Sequence, residues 1–299
     1  MKVLFLSSGA AHGAFQAGAL KAIEESGWEP DVVLGVSVGA INGTGWVSGL
    51  PAEDLCEMWK VIGKRDVYRM RPAKDWFRPW TWTHLVDTTP LEKFLDKKID
   101  FFDVYSSDKL MAITGIDIRT GRSRLFCSKI TPEMEDSLSS SYDLSLLNMD
   151  ALMASGAIPG IFPWREEVWD GAFAQQQPLK AALLLGATEI CVVHMHVPYE
   201  EAPLPTTPFE TVWRLAELAT TYPLLKDLRL FAQRNSDPKF RSVSLNVICP
   251  EHPLGFSKIH FGAKNKDRAI DHGYDVAARK MKEWTGKSPK IVPFPHTGD

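Results

Sequence analysis

The apolar run Val3 to Leu6 is followed by "SSGAAHG" and then by Phe15, Ala19 and Ile23 at fourfold spacing. The run predicts a buried strand, the polar stretch a loop, and the spacing a helix over Ala14 to Glu25 that Gly27 ends. "DVVLGV", Asp31 to Val36, lacks polar alternation, as expected of a strand in a parallel sheet covered on both faces. The chain therefore opens strand, loop, helix, strand, turn, helix. Further strands are expected in "KLMAITGIDI", "EVWDG", "EICVVHMHV" and "SVSLNVICP", and helices in "DALMASGA" and "DRAIDHGYDVAARKMKEW". That mixture predicts an α/β fold, a three-layer α/β/α sandwich with a mostly parallel central sheet. Arg65 to Trp82, "RDVYRMRPAKDWFRPWTW", reads as an irregular surface excursion, and the proline-rich "EEAPLPTTPFETVWRL" as a loop leading into a helix. No internal repeat is visible.

Composition narrows the picture. The 299 residues, 44% hydrophobic and 24% charged, suit one large α/β domain. Its core would be residues 2–178, completed by 179–299. A formal net charge of -3 gives no electrostatic case for nucleic acid. Cys56, Cys127, Cys191 and Cys249 lie far apart without CxxC spacing, which suggests neither zinc nor a disulfide framework and fits a reduced cytoplasm. The opening apolar run is too short for a signal peptide. No stretch approaches the ~18 apolar residues of a membrane span, so peripheral membrane contact is the expectation.

Gly35-Val36-Ser37-Val38-Gly39 is a G-x-S-x-G pattern with a strand before it and a helix after it. Flanking glycines permit the sharp turn that lifts a serine hydroxyl off the C-terminal edge of a sheet, and the next helix aims its dipole at any anion formed there. Taken alone, the pattern also suits a glycine-rich turn with an incidental serine. Only one βα unit precedes Ser37, too little chain for an α/β-hydrolase. That unit carries a glycine-rich loop whose Gly9, Ala10 and Ala11 amides could form an oxyanion hole. As a phosphate cradle it matches neither G-x-G-x-x-G nor a Walker motif. Asp170, in "VWDGA", follows a short strand whose C-terminal end would reach the edge bearing Ser37; Asp-Gly is also a common turn pair.

Taken together, these motifs resemble the patatin-like phospholipases. The glycine-rich loop G-G-G-x-[RK]-G aligns with Ser8 to Gly13, G-x-S-x-G with Gly35 to Gly39, and D-G-[GA] with Asp170-Gly171-Ala172; "ASGAIPGIFPW" and "AINGTG" add support. The resemblance implies a lipid acyl hydrolase that cleaves carboxylic esters of phospholipids or lysophospholipids through an acyl-serine intermediate. Ser37 would be the nucleophile and Asp170 the general base, with Gly13, Gly35, Gly39 and Gly171 shaping the motifs. No histidine and no cofactor is implied. Ser8 and Ala10 replace glycines, and His12 stands where arginine or lysine is usual, as a polar loop residue or a weaker substitute for that cation. The weakened loop motivates a rival reading, a catalytically silent lipid-binding scaffold, and a soluble esterase or thioesterase is a third.

Other residues carry weaker signals. His194 and His196 alternate onto one strand face at a spacing able to chelate metal, but only Glu200 and Glu201 follow nearby, so a buried or edge pair is expected and no metal. Either is the first candidate for a third catalytic member. His260 is expected to be structural. Trp76, Phe77, Trp80 and Trp82, with Arg71 and Arg78, fit an interfacial surface or a cluster pinning a long loop.

Overall fold

The first strand shows how the layers arise. In β1 (Lys2–Leu6), Val3 and Phe5 enter one apolar layer while Leu4 and Leu6 enter the other. A strand apolar on both sides must be covered on both sides. The structure, a computed structural model, describes residues 1–72, 82–174, 178–197, 201, 204–236, 242–258, 260–262 and 264–285. The other strands are β2 (Val32–Gly35), β3 (Arg69–Met70), β4 (Val86–Asp87), β5 (Leu110–Asp117), β6 (Ser123–Cys127), β7 (Asp143–Leu146), β8 (Val168–Asp170), β9 (Glu189–Val193) and β10 (Ser244–Ile248). The described residues form an eight-stranded sheet of order β10-β9-β1-β2-β5-β6-β7, with β8 paired to β5, and a separate β3-β4 pair.

The helices are α1 (Gly13–Glu25), α2 (Val38–Val47), α3 (Ala52–Val61), α4 (Lys64–Val67), α5 (Thr89–Asp96), α6 (Phe101–Ser106), α7 (Pro132–Leu138), α8 (Met149–Ser155), α9 (Pro178–Leu184), α10 (Pro208–Ser236) and α11 (Lys266–Thr285). One face of the sheet is covered by α1, α2, α3, α8 and α11, the other by α7, α9 and α10. This is the expected α/β/α sandwich. The contact between α1 and α11 is backbone to backbone: a Cβ on Gly18 would lie 1.9 Å from the Ile270 carbonyl oxygen, and one on Gly273 2.0 Å from that of Phe15. The C-terminal helix is thereby seated against the helix that follows the glycine-rich loop.

Three features refine the sequence reading. The sheet is mostly parallel, as expected, and its antiparallel pairings among the described residues are those of β5 with β6 and with β8. Second, Asp170 approaches Ser37 along an antiparallel strand, paired with Gly115, while Gly35 pairs with Ile113 of the same β5. The carboxylate reaches the active edge by running back over β5, since a chain entering beside Asp117 can hydrogen-bond to β5 only in that direction. Third, the stretch from Arg65 is not wholly irregular. It includes most of α4, where the Asp66 carboxylate accepts from the Gly63 amide at 2.9 Å, and then β3. Trp76, Phe77, Arg78 and Trp80 lie outside the described residues. Among the described residues, no helix is long and apolar enough to cross a membrane.

Candidate active site

The turn from β2 to α2 forces Ser37 to φ 55° and ψ -124°. A side-chain-bearing residue held there costs about 1–3 kcal/mol, a strain of the kind that clusters at functional sites. The turn closes only because its flanks are bare: a Cβ on Gly35 would lie 2.6 Å from Ala40 Cα, and one on Gly39 2.2 Å from the Leu6 carbonyl oxygen. The Ser37 amide donates to Ser155 Oγ at 3.1 Å, and that hydroxyl donates to the Thr114 carbonyl at 2.7 Å. Ser155 therefore ties the elbow to β5. It lies within the "ASGAIPG" stretch, where a small polar residue among apolar neighbours was its one visible signal.

The same stretch positions the carboxylate. The Asp170 amide donates to the Ala157 carbonyl at 3.0 Å, and Asp170 Oδ1 accepts from the Ala172 amide at 2.8 Å. Gly171 must be bare, since a Cβ there would lie 2.2 Å from the Thr114 carbonyl oxygen. Asp170 is buried. Burial pushes its pKa up to about 7, against the opposing pull of the Ala172 amide and the hydrogen-bonding Ser37 side chain. The environment thus converts a weak base into one matched to neutral pH.

In the glycine-rich loop, Gly9 is extended at φ 171° and Ala10 takes φ 49°. The Ala11 amide donates to the Lys258 carbonyl at 2.7 Å, so it is already engaged. The Gly9 and Ala10 amides have no backbone acceptor among the described residues. Gly13 packs so tightly that a Cβ would lie 2.5 Å from both Val38 and Trp59 side-chain atoms. His12 Nε2 lies 2.8 Å from the Phe256 carbonyl, and burial lowers the His12 pKa. It pins the loop as a neutral group; it does not replace a cation.

Ser37 stands between two cavities. One, about 940 Å³ including its mouth, is lined along α2 by Val38, Ile41, Asn42 and Gly45 and walled by apolar residues of α3 and α5. That i, i+3, i+4, i+7 spacing is one face of the helix. The other, about 460 Å³, includes Asp170, His196, Glu217 and Lys258. Ala10, Ser37 and Ile158 border both.

The β9 region carries His194, which is buried, and His196, which is half-buried, with rings stacked at 5.0 Å. His194 Nδ1 lies 3.3 Å from Ser7 Oγ. Burial, reinforced by the Lys258 ammonium, lowers His194 to about 3 and holds His196 well below its ordinary value, so both are neutral. Among the described residues, no group of three or more His, Cys, Asp or Glu could hold a metal ion. His260 is exposed.

Three solved structures align over most of the chain. VipD from Legionella pneumophila is 12% identical, with 94% of this chain and 67% of that one covered and a TM-score of 0.48. The type III effector ExoU is 15% identical, covers 94% of this chain and 52% of its own, and gives a TM-score of 0.47. Full-length ExoU of Pseudomonas aeruginosa, in complex with SpcU, is 16% identical, with 94% and 53% covered and a TM-score of 0.41. The chain thus spans about half the length of the ExoU chains. No curated protein matches the sequence. The family model for patatin-like phospholipase matches residues 4–183, more than half of the chain, which take in the loop, the elbow and the Asp-Gly turn. On that match, the chain belongs to the patatin-like phospholipase family, whose members are generally serine hydrolases.

Proposed function

We propose that the protein is a lipid acyl hydrolase that cleaves carboxylic esters of phospholipids or lysophospholipids, with Ser37 as nucleophile and Asp170 as general base. The observation that carries this reading is that a strained Ser37, hydrogen-bonded to a carboxylate of pKa about 7, lines an apolar cavity of about 940 Å³. Family membership supports the reaction class.

Each step has a group to perform it. The acyl chain lies along the cavity-lining face of α2, which brings its ester carbonyl to Ser37. Ser37 Oγ attacks the carbonyl carbon as its proton passes to Asp170. The Gly9 and Ala10 amides receive the oxyanion, and the α2 dipole adds to their field. The bond to the leaving alcohol breaks as Asp170 returns the proton to that oxygen. Water, deprotonated by the same carboxylate, then attacks the acyl carbon; the bond to Ser37 Oγ breaks as Asp170 returns the proton to that oxygen, and the fatty acid leaves. The mechanism needs neither a histidine nor a cofactor. The lipid is drawn from a membrane or micelle surface.

The test is hydrolysis of a lysophospholipid by wild type and Ser37→Ala, with fluorophosphonate labelling of both. Labelling and turnover lost together in the folded variant are expected; retained turnover would overturn the assignment.

A further inference from the structure

We propose that the polar cavity is a subsite for a phosphate group carried on the leaving alcohol, with the Lys258 ammonium as its cation. The inference rests on the reading of Ser37 given above. An ester has two substituents. If the acyl chain occupies the apolar cavity, the alcohol projects to the other side of Ser37, into the cavity bordered by Asp170, His196 and Lys258.

Lys258 is built into this position. Its carbonyl accepts the Ala11 amide at 2.7 Å, which fixes its backbone to the loop that faces the oxyanion. Its side chain is only 14% exposed, so its charge acts in a recess where water screens little. The ammonium lies 3.4 Å from Glu217 Oε1, longer than the ~2.7–2.9 Å of a tight charge-assisted hydrogen bond. Glu217 also accepts from Arg214 at 3.2 Å, so one carboxylate is shared between two cations.

A second observation is independent of that pair. His196 borders the same cavity, and its Nδ1 is buried without a hydrogen-bond partner among the described residues. A neutral imidazole carries one N–H and can donate to an anionic oxygen. A flexible cation beside such a ring matches the oxygens of a phosphodiester, which present several acceptors to donors at different angles. Phosphate oxygens are common to a glycerophospholipid headgroup and to free phosphate, and the experiment separates the two.

The measurement is kcat/KM of the full chain on lysophosphatidylglycerol and on a monoacylglycerol with the same acyl group, in mixed micelles, read as the ratio of the two. Lys258→Gln should lower that preference for the phosphate-bearing lipid by about 10- to 100-fold, the range of a lost charge-assisted contact. Lys258→Arg should keep most of it. Glu217→Gln, which removes the competing carboxylate, should raise it severalfold. Opposite signs for Lys258→Gln and Glu217→Gln are what a strut between the two side chains would not produce. An unchanged ratio in Lys258→Gln, or equal losses on both lipids in both variants, would overturn the proposal. Stimulation of monoacylglycerol hydrolysis by inorganic phosphate, lost in Lys258→Gln, would also overturn it in favour of a free-anion site. Fluorophosphonate labelling separates the two levels: if wild type does not label at Ser37, the underlying reading fails; if it labels but the ratios do not move, only the subsite fails.

Discussion

The two cavities beside Ser37 differ in how the chain builds them. The apolar one is walled by residues up to and including Pro163, with Phe261 the exception, whereas the polar one draws His196, Glu217 and Lys258 from the C-terminal part. The first comes from helices that pack on the sheet beside Ser37, so on the proposed function acyl binding and chemistry are encoded together. The second is assembled by β9, α10 and the segment before α11, which the α1–α11 crossing seats against the loop. If that cavity takes the headgroup, as proposed, headgroup recognition can change while the reaction stays the same.

The largest effects should strike both sides at once. Ser37→Ala is expected to lower turnover by about 10⁴-fold or more on every ester, and Asp170→Asn by about 10³-fold or more, because each removes a group that the proposed mechanism uses in bond making. Loss in Asp170→Asn with any single-histidine variant largely active, by single-turnover acylation, confirms that the base is a carboxylate. A histidine variant as dead as Ser37→Ala would contradict it.

The next effect should separate the two cavities. Gly45 lines the apolar cavity about 12 Å along α2 from Ser37, at ~1.5 Å per residue. A Cβ there meets only Leu55 at 3.5 Å and Leu50 at 3.8 Å, so the backbone tolerates a side chain. Gly45→Leu should cut kcat/KM for long-chain esters by about 10- to 100-fold relative to short-chain esters with the same alcohol. Equal losses at all chain lengths would place the acyl group elsewhere.

Asp170 couples activity to stability. In the proposed role of general base it must be deprotonated, so the acylation rate should rise as pH passes through about 7 and level off above it. Stability should move the opposite way. The folded pKa lies above the unfolded ~3.9, so the folded state holds the extra proton between those values and loses stability as pH rises. The cost is absent below about pH 4 and reaches the order of 4 kcal/mol above pH 7. Asp170→Asn should therefore be more resistant to urea than wild type at pH 8, by about 2 kcal/mol or more, and little different at pH 4. An inactive variant with no such gain at pH 8 would mean the carboxylate is not strained by burial.

Ala10 gives the smallest effect. Its φ of 49° is the positive value that an alanine adopts only at a cost, so Ala10→Gly relieves strain but adds freedom to the unfolded chain. The balance should be a gain of about 0.5 kcal/mol in urea unfolding, with turnover unchanged or slightly raised. A destabilised Ala10→Gly would show that the methyl group's packing outweighs the backbone strain.

Much of this was legible in local sequence. Buried strands without polar alternation, the glycines around Ser37 and the Asp-Gly turn each follow from short-range stereochemistry. What escaped depends on contacts far apart in the chain. The strands β6 and β7 mix polar with apolar residues and form no continuous apolar run, and the antiparallel course of β8 is fixed by β5, about 50 residues earlier. Ser155 acts through an amide 118 residues away. Lys258 is an ordinary surface-type residue in sequence, and its place beside the site exists only once the Ala11 amide finds its carbonyl. His12 shows the converse: its position suggested a substitute cation, but burial leaves it neutral.

The most direct test of the account is to trap the acyl-enzyme. Rapid quenching of the wild type with a radiolabelled lysophospholipid, followed by proteolysis and mass spectrometry, should place one acyl group on the peptide containing Ser37, with one equivalent of the glycerophosphoryl product released in the burst. Acylation of a different residue, or fatty acid release with no covalent species on Ser37, would contradict it.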